Sequence, residues 1–161
     1  GWFAPDERKT LDDYKRFAQL FNKCGETAKK YNLQFCHHNH DFEFFLIDGI
    51  VPYDILLNET DKNLVKFELD HYWTQKANVD SIQLMNKHAG RFPIWHIKDM
   101  DNTPSKSFTE VGSGIINYTS IFTSKAKKYM DLYFIEQDSN HKGSPLQSID
   151  ISFKNLKKIK V

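Results

Sequence analysis

The sequence predicts an α/β fold built on a parallel sheet, and two observations carry it. Amphipathic stretches and short apolar runs alternate along the chain in the order α-β-α-β-α-β-α-β-α, the pattern of a sheet whose parallel strands are joined by right-handed helical crossovers. Four of the apolar runs end in polar residues two apart: His38/His40, Glu68/Asp70, His96/Lys98 and Glu136/Asp138. Residues two apart on a strand share a face. Four strand ends would therefore aim His, Asp, His and Glu at the mouth of one parallel barrel.

Taken in order, Gly1 to Pro5 reads as the tail of a preceding element. Thr10 opens a helix in which Leu11, Tyr14, Phe17, Ala18, Phe21, Cys24 and Ala28 recur at spacings of three and four, to a stop near Lys30 and Asn32. Residues 33–38 read as a buried strand and 39–49 as a loop carrying Phe42, Phe44 and Phe45. Those aromatics suit either the wall of a sugar pocket or packing onto the barrel. Pro52 sits in the first turn of a short helix to Glu59, and 63–70 is the second strand. His71-Tyr72-Trp73 is expected to begin a loop. Asp80 caps a helix to Ala89, stopped by Gly90. Residues 92–98 form the third strand, and 99–114, with Pro104 and Gly112-Ser113-Gly114, a polar loop suited to mobility or ligand contact. A helix over 117–129, a strand over 131–137, and a last helix opened by Ser148 and running through Leu156 complete the chain.

Composition narrows the function. Hydrophobic residues make up 40% and charged residues 27% of 161, enough for one domain with a real core. The net charge of +1 gives no general field for nucleic acid, and Lys154, Lys157, Lys158 and Lys160 read as a solvated helix face. No apolar run approaches the ~20 residues of a membrane span. Cys24 and Cys36 form no CxxC and read as buried free thiols. No signal peptide is visible, yet the chain starts at Gly1. An upstream segment is expected to be missing, and cytoplasm and periplasm both stay open.

The chemistry lies at the strand ends. His38, Asp70, His96 and Glu136 are 32, 26 and 40 residues apart, about one βα unit each, so they fall on neighbouring strands. Mixed imidazole and carboxylate ligation suits Mn2+, Co2+, Fe2+ or Zn2+ better than Ca2+, with Mg2+ also open. Such an ion polarises a sugar carbonyl and its neighbouring hydroxyl. Glu68, Lys98, His40 and Asp138 would orient ligands or move protons. Glu43, Trp73 and Asp138 are candidates for substrate contact. A single histidine at a strand end is more often structural, and Glu68 with Lys98 could be a simple ion pair. Four consecutive strands ending in ligand types argue for a site. Strand phase favours His38 or His40 over His37 as first ligand, although a bulge would reverse this. His71, His88 and His141 have weaker cases, His88 as a solvated helix residue.

At these residues the chain resembles the sugar phosphate isomerase/epimerase family with the xylose-isomerase-like TIM barrel, a fold shared with endonuclease-IV-type repair enzymes. The resemblance rests on His38-Asn39-His40-Asp41-Phe42-Glu43-Phe44, on Glu68-Leu69-Asp70-His71-Tyr72-Trp73 with Lys76-Ala77, on Gly90-Arg91, His96-Ile97-Lys98-Asp99-Met100 and Val111-Gly112-Ser113-Gly114, and on Glu136-Gln137-Asp138. It implies a partial (β/α)8 barrel: residues 1–161 as the C-terminal portion of a single domain, holding strands five to eight, with the N-terminal half absent. It also implies a Glu, Asp, His, Glu ligand set carried here by Asp70, His96 and Glu136, with His38 replacing the first Glu. That departure puts a two-carboxylate acid/base mechanism in doubt. Glu136 remains as one base, and His40, Glu43, Glu68 or Lys98 could supply the other group.

The expected activity is a metal-dependent sugar or sugar phosphate isomerase or epimerase, by proton abstraction next to a metal-chelated carbonyl. The alternatives are a lyase or dehydratase of a keto-sugar or inositol on the same site, and an inactive sugar-binding barrel fragment. The short chain is itself expected to be inactive, and a full-length form to allow a homo-oligomer. A repair endonuclease would need more ligands and a basic surface, which the charge opposes.

Overall fold

The structure is a computed structural model that describes residues 2–159; Gly1 and Lys160, which enter the expectations above, lie outside that range. Helix α1 (Leu11–Lys30) begins where expected because Thr10 and Asp13 form a capping box. It ends in a Schellman closure: Leu33 donates to the Ala28 carbonyl, Asn32 donates to that of Lys29, and Asn32 takes a left-handed φ of 57°. Leu33 belongs to that closure and is 67% exposed, so β1 starts two residues late, at Phe35–His38. Phe3 in the N-terminal tail stacks on Phe17 of α1, with ring centroids 3.8 Å apart.

Next come α2 (Pro52–Glu59), β2 (Val65–Asp70), α3 (His71–Lys76), α4 (Ser81–Lys87), β3 (Ile94–Ile97), β4 (Asp99–Met100), β5 (Phe108–Thr109), α5 (Tyr118–Thr123), β6 (Leu132–Ile135) and α6 (Pro145–Leu156). The main sheet has the order β1-β2-β3-β6, with every neighbouring pair parallel. One face lies under the helices, where Phe67, Leu69, Trp95 and Ile97 are fully buried. The alternate residues Cys36, His38, Glu68, His96 and Phe134 lie on the opposite face, the inner face of a barrel wall. At the open end of that wall Leu132 is 57% and Phe134 50% exposed.

Six further expectations need correction. His71-Tyr72-Trp73 opens α3 rather than a loop, because the Asp70 carboxylate accepts from the Tyr72 and Trp73 amides. Residues 99–114 are not all loop: β4 and β5 pair antiparallel inside them. The Asp99 carboxylate also accepts the amides of Met100, Gly112, Gly114 and Ile116. The helix over 117–129 breaks at Ser124, which is extended, leaving α5 and a 3-10 segment, Lys125–Tyr129. Ser144, not Ser148, caps α6 through a capping box with Gln147; Ser148 lies a turn inside, buried, and donates to Glu110. Helix α6 ends at Leu156, so only Lys154 of the expected lysine face is within it. Cys24 and Cys36 are free but half-buried; burial pushes the Cys36 thiol up to about 11.

Candidate metal centre

The phase of β1 separates the three histidines. His37 points under α1, between Phe3 and Phe21, and its Nε2 lies 2.6 Å from a carboxylate oxygen of Glu43. The other Glu43 oxygen accepts the His40 amide. Glu43 is therefore a fully buried brace behind the strand end and is not brought into the cluster. His38, one residue on, faces the barrel interior. His40 stands beside the cluster in an aromatic wall: its ring stacks on Phe42 at 5.3 Å, lies 5.4 Å from Trp73, and meets His38 edge-on at 5.1 Å. Phe42 lines this wall, whereas Phe44 packs into the core against Tyr53. Burial lowers the His40 pKa.

Asp70 is the centre of the arrangement and is 0% exposed. Its Oδ1 caps α3. Its Oδ2 faces the interior, 3.0 Å from His38 Nε2 and 3.6 Å from His96 Nδ1. The helix cap thus fixes the rotamer that points the second oxygen at the histidines. Burial raises the Asp70 pKa, but the bond from His38 and the charges of Lys98, His38 and His96 outweigh it and hold the group below the usual aspartate value. Asn39, which sequence reasoning did not single out, locks β1 to β2. Its side-chain oxygen accepts the Asp70 amide at 3.0 Å, and its amide group reaches the Asp70 carbonyl at 3.4 Å. Its position between two strand-end histidines was the available signal.

His96 Nδ1 lies 2.9 Å from His38 Nε2 and 3.8 Å from Glu68. His96 Nε2, on the other edge of the ring, lies 2.9 Å from Glu136 Oε2. Burial lowers the His96 pKa despite the nearby Asp70. Lys98 is buried with its Nζ 2.6 Å from Glu136 Oε2, 3.0 Å from Asp138 and 3.4 Å from Asp70 Oδ2. Burial disfavours its ammonium, but these carboxylates win and raise its pKa. Lys98 therefore pairs with Asp70, Glu136 and Asp138, not with Glu68. The same ammonium holds Glu136 below the usual glutamate range against the effect of burial.

The ligand atoms of His38, Asp70 and His96 all lie within 4.8 Å of one another, with separations of 2.9, 3.0 and 3.6 Å. Ligands about 2.1 Å from an ion stand roughly 3.0–3.4 Å apart in octahedral or tetrahedral geometry, so the donors fit a divalent metal. Two imidazoles and one carboxylate match the borderline transition metals better than Ca2+. The Gly112-Ser113-Gly114 turn, by contrast, has its Gly112 and Gly114 amides taken by Asp99 and does not face a ligand with them. His71 is buried between Trp95 and Tyr118, His88 is half-buried at the end of α4 rather than solvated, and His141 reaches the Gln137 carbonyl; none joins the cluster.

The family model for the xylose isomerase-like TIM barrel matches residues 1–159. Two crystal structures from Parabacteroides distasonis ATCC 8503, both described as sugar phosphate isomerase/epimerase, superpose closely. One has a TM-score of 0.82 and 27% identity over 94% of this chain and 54% of that one. The other has a TM-score of 0.75 and 28% identity over 95% and 55%. The inosose dehydratase of Clostridium perfringens is 24% identical over 69% of this chain and 42% of its own length. The chain thus spans about half the length of the proteins it matches. Its parallel strand order, the ligand-type residues at the strand ends and the match along nearly its whole length agree: the chain belongs to the xylose isomerase-like TIM barrel family.

Proposed function

We propose that this chain carries the reacting face of a metal-dependent sugar isomerase or epimerase. The observation that carries this reading is the convergence of His38, Asp70 and His96 beside Lys98, Glu136 and Asp138, at the C-terminal ends of four parallel strands. A bound divalent ion supplies Lewis-acid polarisation of a carbonyl at this position. The chain's own residues do the rest. Glu136 takes the proton from the carbon next to the carbonyl, and the electron pair moves onto the carbonyl oxygen. The Lys98 ammonium hydrogen-bonds that developing charge. For isomerisation His40 or Glu68 delivers a proton to the former carbonyl carbon, while the neighbouring hydroxyl becomes the new carbonyl and its proton passes to the former carbonyl oxygen; for epimerisation the proton returns to the same carbon from the opposite face. Phe42, His40 and Trp73 form an apolar wall suited to the face of a sugar.

A second reading keeps the site and changes the outcome. The similarity to an inosose dehydratase favours loss of a β-hydroxyl as water after the same proton abstraction. Incubating this chain, and one extended upstream, with keto- and aldo-sugars and inososes in D2O tests both. Deuterium at the α-carbon with conserved carbon skeleton and oxygen count supports the isomerase. Loss of one water supports the dehydratase. A metal-loaded, folded protein that exchanges no deuterium into any sugar it binds overturns both, and leaves a sugar-binding barrel.

A further inference from the structure

The segment ahead of α1 closes one side of the barrel mouth. Helix α1 runs back along the sheet: its Gly25 lies against Leu64, at the entry to β2, so its first turn stands at the end where the strands finish. Arg8, two residues before the Thr10 cap, reaches from there onto the aromatic wall. Its guanidinium carbon sits 3.3 Å from the centre of the Phe42 ring and 5.6 Å from that of Trp2. Phe42 stacks on His40 at 5.3 Å, and His40 meets His38 at 5.1 Å. Two ring contacts thus link the platform under Arg8 to the strand ends. Lys76 stands over Trp73, in the same wall, at 4.7 Å, with the Asp41 carboxylate 4.0 Å away.

The charge of Arg8 has no ion-pair partner among the described residues: Asp13 pairs with Arg16, and Asp41 with Lys76. The Arg8 Nε is buried without a hydrogen-bond partner. Glu43, buried behind the wall, has both oxygens committed, to His37 and to the His40 amide. The neighbouring Tyr14 hydroxyl is neutral: burial and the Glu43 charge push it up to about 12, against the opposing effect of Arg8. A guanidinium held over a ring keeps its N–H fork for a carboxylate or a phosphate. The strand ends, by contrast, repel an anion. Glu68, Asp70, Glu136 and Asp138 surround the single ammonium of Lys98 there, and a divalent ion does not outweigh them. From this placement we infer that the substrate carries an anionic group, a phosphate or a carboxylate, at the end remote from its reacting carbonyl, and that Arg8 docks it, with Lys76 as the second cation of the wall. The inference rests on the proposed sugar-converting function and names its substrate class. The carbonyl lies at the strand ends, the sugar face lies along Phe42, His40 and Trp73, and the anion lies outermost.

Isothermal titration of the Co2+-loaded full chain with D-fructose, D-fructose 6-phosphate and D-fructuronate tests this. The three keto-sugars differ only at the terminal carbon furthest from the carbonyl. At least one of the two anions should bind about tenfold or more tighter than fructose, and added salt should narrow the gap. Preference for the phosphate alone, or for the carboxylate alone, identifies which anion the site takes. Arg8→Met, with its fold checked by circular dichroism, should bind the anions no more tightly than fructose, and Arg8→Lys should keep part of the preference. Wild type that binds fructose as tightly as both anions overturns the inference and leaves the sugar-converting function standing. An undiminished preference in folded Arg8→Met overturns the role of Arg8. Folded wild type that holds no Co2+, or that binds none of the three sugars, overturns the proposed function and the inference with it. If Arg8→Met does not fold, the wild-type comparison still decides the anion, and Lys76→Met, on the surface of α3, should weaken anion binding more than fructose binding; an equal effect on both overturns the cationic wall.

Discussion

At the residue scale, Asp70 does two jobs with two oxygens. Asp70→Asn keeps an acceptor for the α3 cap but puts an amide or a neutral oxygen before His38 and Lys98. Metal binding should fall at least 100-fold, while stability falls less than in Asp70→Ala, which also loses the cap, a difference of about 1 kcal/mol. Isothermal titration and urea unfolding of the two variants check this. His71 sets a pH dependence of its own. Neither ring nitrogen has a hydrogen-bond partner among the described residues, and burial pushes its pKa down to about 4. The unfolded histidine, at about 6.5, takes a proton that the folded one refuses. Stability should therefore be complete above pH 6.5 and decline as pH falls toward 4, by about 3 kcal/mol. Unfolding midpoints between pH 7 and 4 should show this decline in wild type and lose it in His71→Leu. The residue types at the strand ends were plain in the sequence. What Glu43 and Asn39 do was not, because their partners, His37 and Asp70, are defined by strand phase and by a neighbouring strand.

At the element scale, helix starts and stops were the most legible feature. Thr10, Asn32, Pro52 and Asp80 act locally, on backbone groups within a turn, and each stands where its residue type predicts. Two of the misreadings share a cause, an aspartate that accepts backbone amides. Asp70 ends a strand and caps a helix at once, a double role that its residue type at a strand end does not announce. Asp99 turns a glycine-containing loop into an anchored one through four amides. Asp99→Ala should leave those amides unsatisfied and destabilise the protein by roughly 2–4 kcal/mol, with the loop becoming the first site of proteolytic nicking. Gly25 marks a close approach that its place on an otherwise regular helix does not announce. A Cβ there would lie 2.6 Å from the Leu64 carbonyl oxygen. Gly25→Ala should push α1 off the segment entering β2 and destabilise by about 1–3 kcal/mol, despite the gain in helix propensity. Thermal unfolding reads both.

At the scale of the whole molecule, the sheet is open. Among the described residues, β1 and β6 each pair on one side only, and Leu132 and Phe134 carry apolar surface toward the unfilled interior of the wall. Unpaired edges beside exposed apolar groups favour association. The chain should elute from a sizing column as species larger than its 19.0 kDa mass at micromolar concentration, and Leu132→Lys with Phe134→Lys should shift it toward monomer. Sequence alone determined the α/β class, the helix boundaries at Thr10, Asn32, Pro52 and Asp80, and the four strand ends that carry His, Asp, His and Glu. Each of these follows from periodicity or from hydrogen bonds closed within a few residues. Only the tertiary structure decided that His38 and not His37 faces the site, that Asp70 divides its oxygens between helix and cluster, and that Glu136 meets the far nitrogen of His96. Those outcomes depend on the pleat and on the register between strands 26 to 40 residues apart, where a shift of two residues moves a side chain by about 7 Å.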